Sequence, residues 1–122
     1  MSAIYTDLID QFINAINESD AARRRSTIEQ IFTPDCTYTD PEVAVEGLES
    51  LDAAFSSLKE RTPPGFRFSL RAPVDVHHDQ ARFFWQFGQA DAATPAATGS
   101  DVALFAGGRI RHIYAFFDTR ND

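Results

Sequence analysis

A chain of 122 residues has the length of one domain, and 43% hydrophobic with 24% charged residues is the balance of a globular protein with a real core. The formal charge of −7 is the wrong sign for binding phosphate backbones, so no nucleic-acid partner is expected. A single cysteine, Cys36, excludes an intrachain disulfide and a thiolate metal site. No signal-peptide pattern and no apolar run of the ~18 residues needed for a span occur, so the expectation is a cytoplasmic protein without membrane contact.

Residues 3–18 place Ile4, Leu8, Ile9, Phe12, Ile13 and Ile16 at helical spacing, opposite Asp7, Asp10, Gln11 and Asn14. Ser19-Asp20 reads as a break and N-cap for a second helix over 21–32, with Ile28, Ile31 and Phe32 toward the core. Its Arg23-Arg24-Arg25 run reads as a solvated face. Thr33-Pro34-Asp35 stops that helix, because proline disfavours the helical region for the residue before it. Short strands follow at 36–40 and 43–45. Gly47 precedes a third helix over 48–60 with Leu48, Leu51, Phe55 and Leu58 on one stripe, ended by Thr62-Pro63-Pro64-Gly65.

The second half alternates as strands do. Phe66, Phe68, Leu70, Ala72, Val74 and Val76 share one parity over a single expected strand, and His77 to Gln80 form a polar turn. Ala81 to Ala90 is an aromatic-rich strand, and 92–97 is a loose Ala/Thr/Pro loop. Strands over 98–106 and 109–118 are joined by a tight Gly107-Gly108 hairpin turn, before the polar tail Thr119 to Asp122. Three helices followed by antiparallel strands make an α+β domain spanning 1–122, its curved sheet wrapped around a long helix to leave a cone-shaped cavity.

Two aspartates stand out for chemistry. Asp40, before Pro41, reads either as a base on a pocket wall, where desolvation raises a carboxyl pKa, or as a turn residue capping a backbone N–H. Asp101 sits inside a strand, where aspartate fits poorly. On the parity of Gly99, Ala103 and Phe105 it faces the apolar cavity and stays protonated; on the other it faces out, paired with Arg109 or Arg111.

Strand parity points His78 inward as a proton relay to Asp101; the other reading, a solvated turn histidine, applies to His78 as well as to His77. His112 falls on the outer parity. Phe83, Trp85 and Phe87 on one strand, with Ile113, Ala115 and Phe117 on another, either fill the core or line a cavity for a flat apolar ligand. Phe12 and Phe55 join that set from the helices. The histidines form no spaced metal-ligand set, and no phosphate loop or nucleophile motif is present, so no metal, no cofactor and no covalent mechanism are expected.

Taken together, "YTDP" at Tyr38, "EG" opening a helix at Glu46, "VHHDQARFFWQF" from Val76 and "GSDVALFAGGRIRHI" from Gly99 resemble the nuclear transport factor 2-like superfamily. Within it the chain is most similar to SnoaL-like proteins, among them polyketide cyclases, and to ketosteroid isomerases, over roughly residues 3–118. The resemblance implies a cone-shaped α+β barrel with an apolar pocket, assembled as a homodimer through the outer sheet face.

It also implies that Asp40 stands at the place of the isomerase base and Asp101 at that of the oxyanion acid. Phe12 stands where the oxyanion tyrosine lies. A phenyl ring donates no hydrogen bond, which argues against steroid isomerisation. Tyr5, about two turns earlier, is a poor substitute. The cyclase-type role, with Asp101 as acid/base, survives that loss. The expected function is therefore cofactor-free acid/base isomerase, cyclase or dehydratase chemistry on a small hydrophobic carbonyl compound. The alternative is a non-catalytic ligand-binding or dimerisation module. Dimerisation is expected through the outer-parity residues Ile110, Tyr114 and Phe116.

Overall fold

The structure is a computed structural model that describes residues 2–118; the tail from Thr119 to Asp122 lies outside the described residues. Helix α1 (Ser2–Asn17) buries Tyr5, Leu8, Ile9, Phe12, Ile13 and Ile16 along one stripe. Each such side chain contributes roughly 1.5–3 kcal/mol by leaving water. Ile4, expected on that stripe, is instead 54% exposed, while its neighbour Tyr5 is buried. At the other end Asn17 docks the helix: its amide donates to the Phe68 carbonyl and accepts from the Phe68 N–H, each at 2.8 Å.

Helix α2 (Ala21–Ile31) starts at the expected cap, with the Asp20 side chain accepting from the Arg23 N–H at 3.0 Å. The basic run following it is not uniformly solvated. Arg24 is 3% exposed and donates to the Glu18 carbonyl and the Ser56 hydroxyl, both at 2.9 Å, with its Nε 3.8 Å from Asp52. Its helical position faces α3 (Leu48–Arg61), while Arg23 faces solvent.

The strands are β1 (Phe32–Thr39), β2 (Ala44–Glu46), β3 (Phe66–Leu70), β4 (Asp75–His77), β5 (Gln80–Gln89), β6 (Ala97–Ala106) and β7 (Arg109–Phe117). They form one curved, unclosed sheet in the order β2-β1-β7-β6-β5-β3, with β4 also paired to β5. The sheet is mixed and not purely antiparallel, since β1 runs parallel to β7. Strand β1 begins directly after α2 and accommodates Pro34 where its register with β7 shifts between Phe32 and Thr37. The single strand expected over 66–76 is two, β3 and β4, interrupted at residues 71–74, where Pro73 lacks the N–H a ladder needs.

The Gly107-Gly108 turn closes the β6–β7 hairpin with φ of 59° and 77°, conformations that favour glycine. Beyond it lies a β-bulge: Phe105 pairs with Ile110 but Leu104 pairs with His112, so Arg111 is the extra residue. The bulge flips parity. Ile110, expected on the outer face, is fully buried, as is Ile113 further along, and Ala115 also faces inward. Tyr114 and Phe116 do face outward, 36% and 60% exposed, beside Phe84 at 38%.

We expect Arg24→Ala to cost about 3 kcal/mol in urea unfolding, because it leaves the Glu18 carbonyl and Asp52 without their buried cation. Arg23→Ala should stay within about 0.5 kcal/mol of the parent. Equal effects at the two positions would contradict the burial of Arg24.

Candidate functional site

The concave side of the sheet and two helices enclose a cavity of about 70 Å³, open at one end. Helix α1 contributes Phe12, Ile13 and Ile16, and α3 contributes Ala54, Phe55, Leu58 and Arg61. The sheet supplies Tyr38, Phe68, Trp85, Asp101, Ala115 and Phe117, and the β1–β2 connection adds Asp40, Glu42 and Val43. A space of that size holds several waters or one compact organic group.

Asp101 is 3% exposed on this apolar wall, on the inner parity the sequence suggests. Its Oδ1 accepts from the Trp85 indole N–H at 2.8 Å, and its Oδ2 has no hydrogen-bond partner among the described residues. Burial pushes the carboxyl up to about 7; the Trp85 hydrogen bond opposes this and the nearby charge of Asp40 adds to it. Trp85 reaches Asp101 diagonally across the strand pair, because its own partner in the β5–β6 register is Gly99. A Cβ on Gly99 would collide with the indole ring and with the Phe116 carbonyl oxygen.

Asp40 unites the two readings of the sequence. Its Oδ1 accepts from the backbone N–H of Glu42 at 2.7 Å and of Val43 at 2.9 Å, the pattern of a turn cap. Its Oδ2 accepts from the Tyr38 hydroxyl at 2.9 Å, and the residue lines the cavity. Tyr38 was not singled out by the sequence reading. The signal was present in "YTDP", where residues two apart share one strand face. Burial first, then the charges of Asp40 and Asp101, raise the Tyr38 phenol pKa, so it remains a donor at any working pH.

Other expectations divide. Phe12, Phe55, Trp85 and Phe117 line the cavity, whereas Phe83 and Ile113 are fully buried core beneath it. Phe87 lies toward the sheet edge, its ring 5.4 Å from Phe66 and 4.6 Å from Phe68. His78 is not in the cavity. It is exposed, with φ of 52°, so strand parity ends at His77, and its ring meets His77 at 3.1 Å. Tyr5 points elsewhere as well, donating to Asp79 at 2.9 Å and stacking on Phe105. His112 lies on the outer face and meets Thr37 at 2.6 Å. At the cavity mouth the exposed side chains of Arg61 and Glu42 stand 3.9 Å apart.

Trp85→Phe removes the hydrogen bond that favours the ionised carboxyl, so the Asp101 pKa should rise further. Carboxyl ¹³C NMR titration checks this, and an unchanged or lower value would count against the assignment of Trp85.

Comparison with known proteins agrees with this architecture. No curated protein matches the sequence. A SnoaL-like protein from Agrobacterium tumefaciens str. C58, described as a candidate isomerase, is 29% identical with a TM-score of 0.87, over 96% of this chain and 99% of that one. A candidate ketosteroid isomerase from Kribbella flavida DSM 17836 is 11% identical with a TM-score of 0.73, over 98% and 82% of the two chains. A candidate polyketide cyclase from Sinorhizobium meliloti is 15% identical with a TM-score of 0.71, over 89% and 93%. The fold is that of NTF2-like proteins. Among the described residues no helix is long and apolar enough to cross a membrane. With the SnoaL-like domain model matching residues 9–113, the chain belongs to the SnoaL-like domain family.

Proposed function

We propose that the protein is a cofactor-independent acid/base catalyst of the isomerase, cyclase or dehydratase type, acting on a small carbonyl compound held in the cavity. The observation that carries this is Asp101: a buried carboxyl lining the cavity, one oxygen held by Trp85 and the other without a hydrogen-bond partner among the described residues, with a pKa of about 7. Such a group is populated in both protonation states near neutrality, which suits it to give and take protons. When protonated, it donates from Oδ2 to a substrate oxygen while Oδ1 keeps the Trp85 bond. Asp40 is the second carboxylate, held by Tyr38 and two backbone N–H groups where it faces the bound ligand.

The second reading, a non-catalytic ligand-binding module, is favoured by one observation. Phe12 lines the cavity without a donor, so Asp101 alone is left to stabilise a developing oxyanion. His78, exposed at its turn, takes no part in either reading. We assign the outer sheet face, with Phe84, Tyr114 and Phe116, to a second copy of the chain.

Asp101→Asn separates the readings. Wild type should exchange the α-hydrogens of cyclohex-2-enone with D2O well above the buffer rate, and the variant should lose roughly 100-fold of that. Exchange unchanged by the substitution would remove Asp101 from the chemistry. The same variant reports on stability. The folded-state pKa lies above the ordinary carboxyl value of 3.8, so the wild type loses stability as pH rises from about 4 to about 7. Asp101→Asn should therefore be more stable than wild type at pH 8, by roughly 2–4 kcal/mol, and gain nothing at pH 4.

Sedimentation at micromolar concentration should show a dimer that Phe116→Lys dissociates. A monomeric wild type would overturn the outer-face assignment.

A further inference from the structure

The buried side-chain donors of the cavity wall are already engaged with carboxylates, and the one cation of the wall, Arg61, is exposed. The Tyr38 hydroxyl is bound to Asp40, the Trp85 N–H to Asp101, and the Arg61 guanidinium stands against Glu42 at the mouth. What stays unengaged is an acceptor, Asp101 Oδ2, on a residue 3% exposed and facing the cavity. The charged groups facing this space are Asp40, Glu42 and Asp101 against the one cation Arg61, and Tyr38 remains neutral. Around them the wall carries six aromatic side chains, Phe12, Tyr38, Phe55, Phe68, Trp85 and Phe117, whose ring faces are electronegative.

An anionic ligand group entering here meets three carboxyl groups, and the only side-chain donor deep in the cavity not already bound is the proton that Asp101 itself carries when neutral. A cationic group meets an open carboxylate oxygen, a second carboxylate and aromatic rings, in surroundings that screen charge poorly. We propose that the cavity takes an organic cation: a compact ligand whose protonated amine donates to Asp101 Oδ2 within the aromatic wall. Asp101 releases its proton to solvent as the ammonium group arrives, and the pair is then a buried ion pair with the Trp85 bond retained. An ammonium group at Oδ2 takes the place from which a protonated Asp101 donates to a carbonyl oxygen, so the amine competes with the carbonyl compound for this site. This rests on the cavity being a ligand pocket and does not depend on turnover.

Trp85 is the only tryptophan and lines the cavity, so its fluorescence reads occupancy directly, with the ligand-induced change in Tm as a second readout. Benzylammonium, benzyl alcohol and benzoate differ mainly in charge. On the wild-type protein at pH 7.5 (roughly where the amine is charged and Asp101 half or more ionised), benzylammonium should bind about tenfold more tightly than the alcohol. Benzoate should show no saturable effect. Asp101→Asn should bring benzylammonium down to the level of the alcohol, while the alcohol itself changes by less than about twofold. Benzoate binding as tightly as benzylammonium, or alcohol and amine binding alike, overturns the charge preference and leaves the ligand-pocket reading standing. If none of the three alters either readout, the ligand pocket itself is refuted, and the charge preference with it.

Discussion

The 2.8 Å hydrogen bond from the Trp85 indole to Asp101 is the contact around which the concave side of this protein is organised. A carboxyl group on an apolar wall is costly, and an unpartnered one costs more. Trp85 lowers that cost with a single donor while adding bulky apolar surface to the same wall. The geometry needs Gly99, because any side chain there would occupy the indole's place. One glycine thus sets the position of a ring, the ring sets the orientation of a carboxyl, and the carboxyl gives the cavity its polarity. Burial outweighs the hydrogen bond, which is why the group titrates near neutrality and not in the usual carboxylate range.

Asp40 and Asp101 show how two carboxylates in one cavity diverge. Asp40 receives three hydrogen bonds, two of them from its own turn and one from Tyr38. Asp101 receives one, deep in the wall. Identical groups thus stand in environments that differ in depth and in hydrogen bonding. The parallel placement of β1 beside β7 is what brings them onto the same cavity, since Tyr38 pairs with Ile113 and Asp101 with Ala115 on the shared strand.

Family membership and the neighbouring folds narrow the architecture much further than the reaction. Phe12 carries the same message at the level of one residue: its ring meets Phe32, Phe55 and Phe83 at about 6 Å and serves the core as much as the cavity. With no donor on that ring, this part of the wall is apolar.

Element order, helix spans, the Asp20 cap and the Gly107-Gly108 turn were legible because each depends on neighbours a few residues away. So was the inward parity of Asp101 and Trp85, since strand alternation is a local property. What local periodicity does not contain is where a strand's phase is reset. The bulge at Arg111 turned Ile110 inward, and the left-handed His78 turned a supposed relay out to solvent. Arg24 read as surface because its buried partners lie on the preceding loop and on α3. The sequence by itself determined the elements and which residue types face inward. Only tertiary structure decided which inward residues line a cavity, which fill the core, and how burial retunes Asp101, because those depend on contacts between segments distant in the chain.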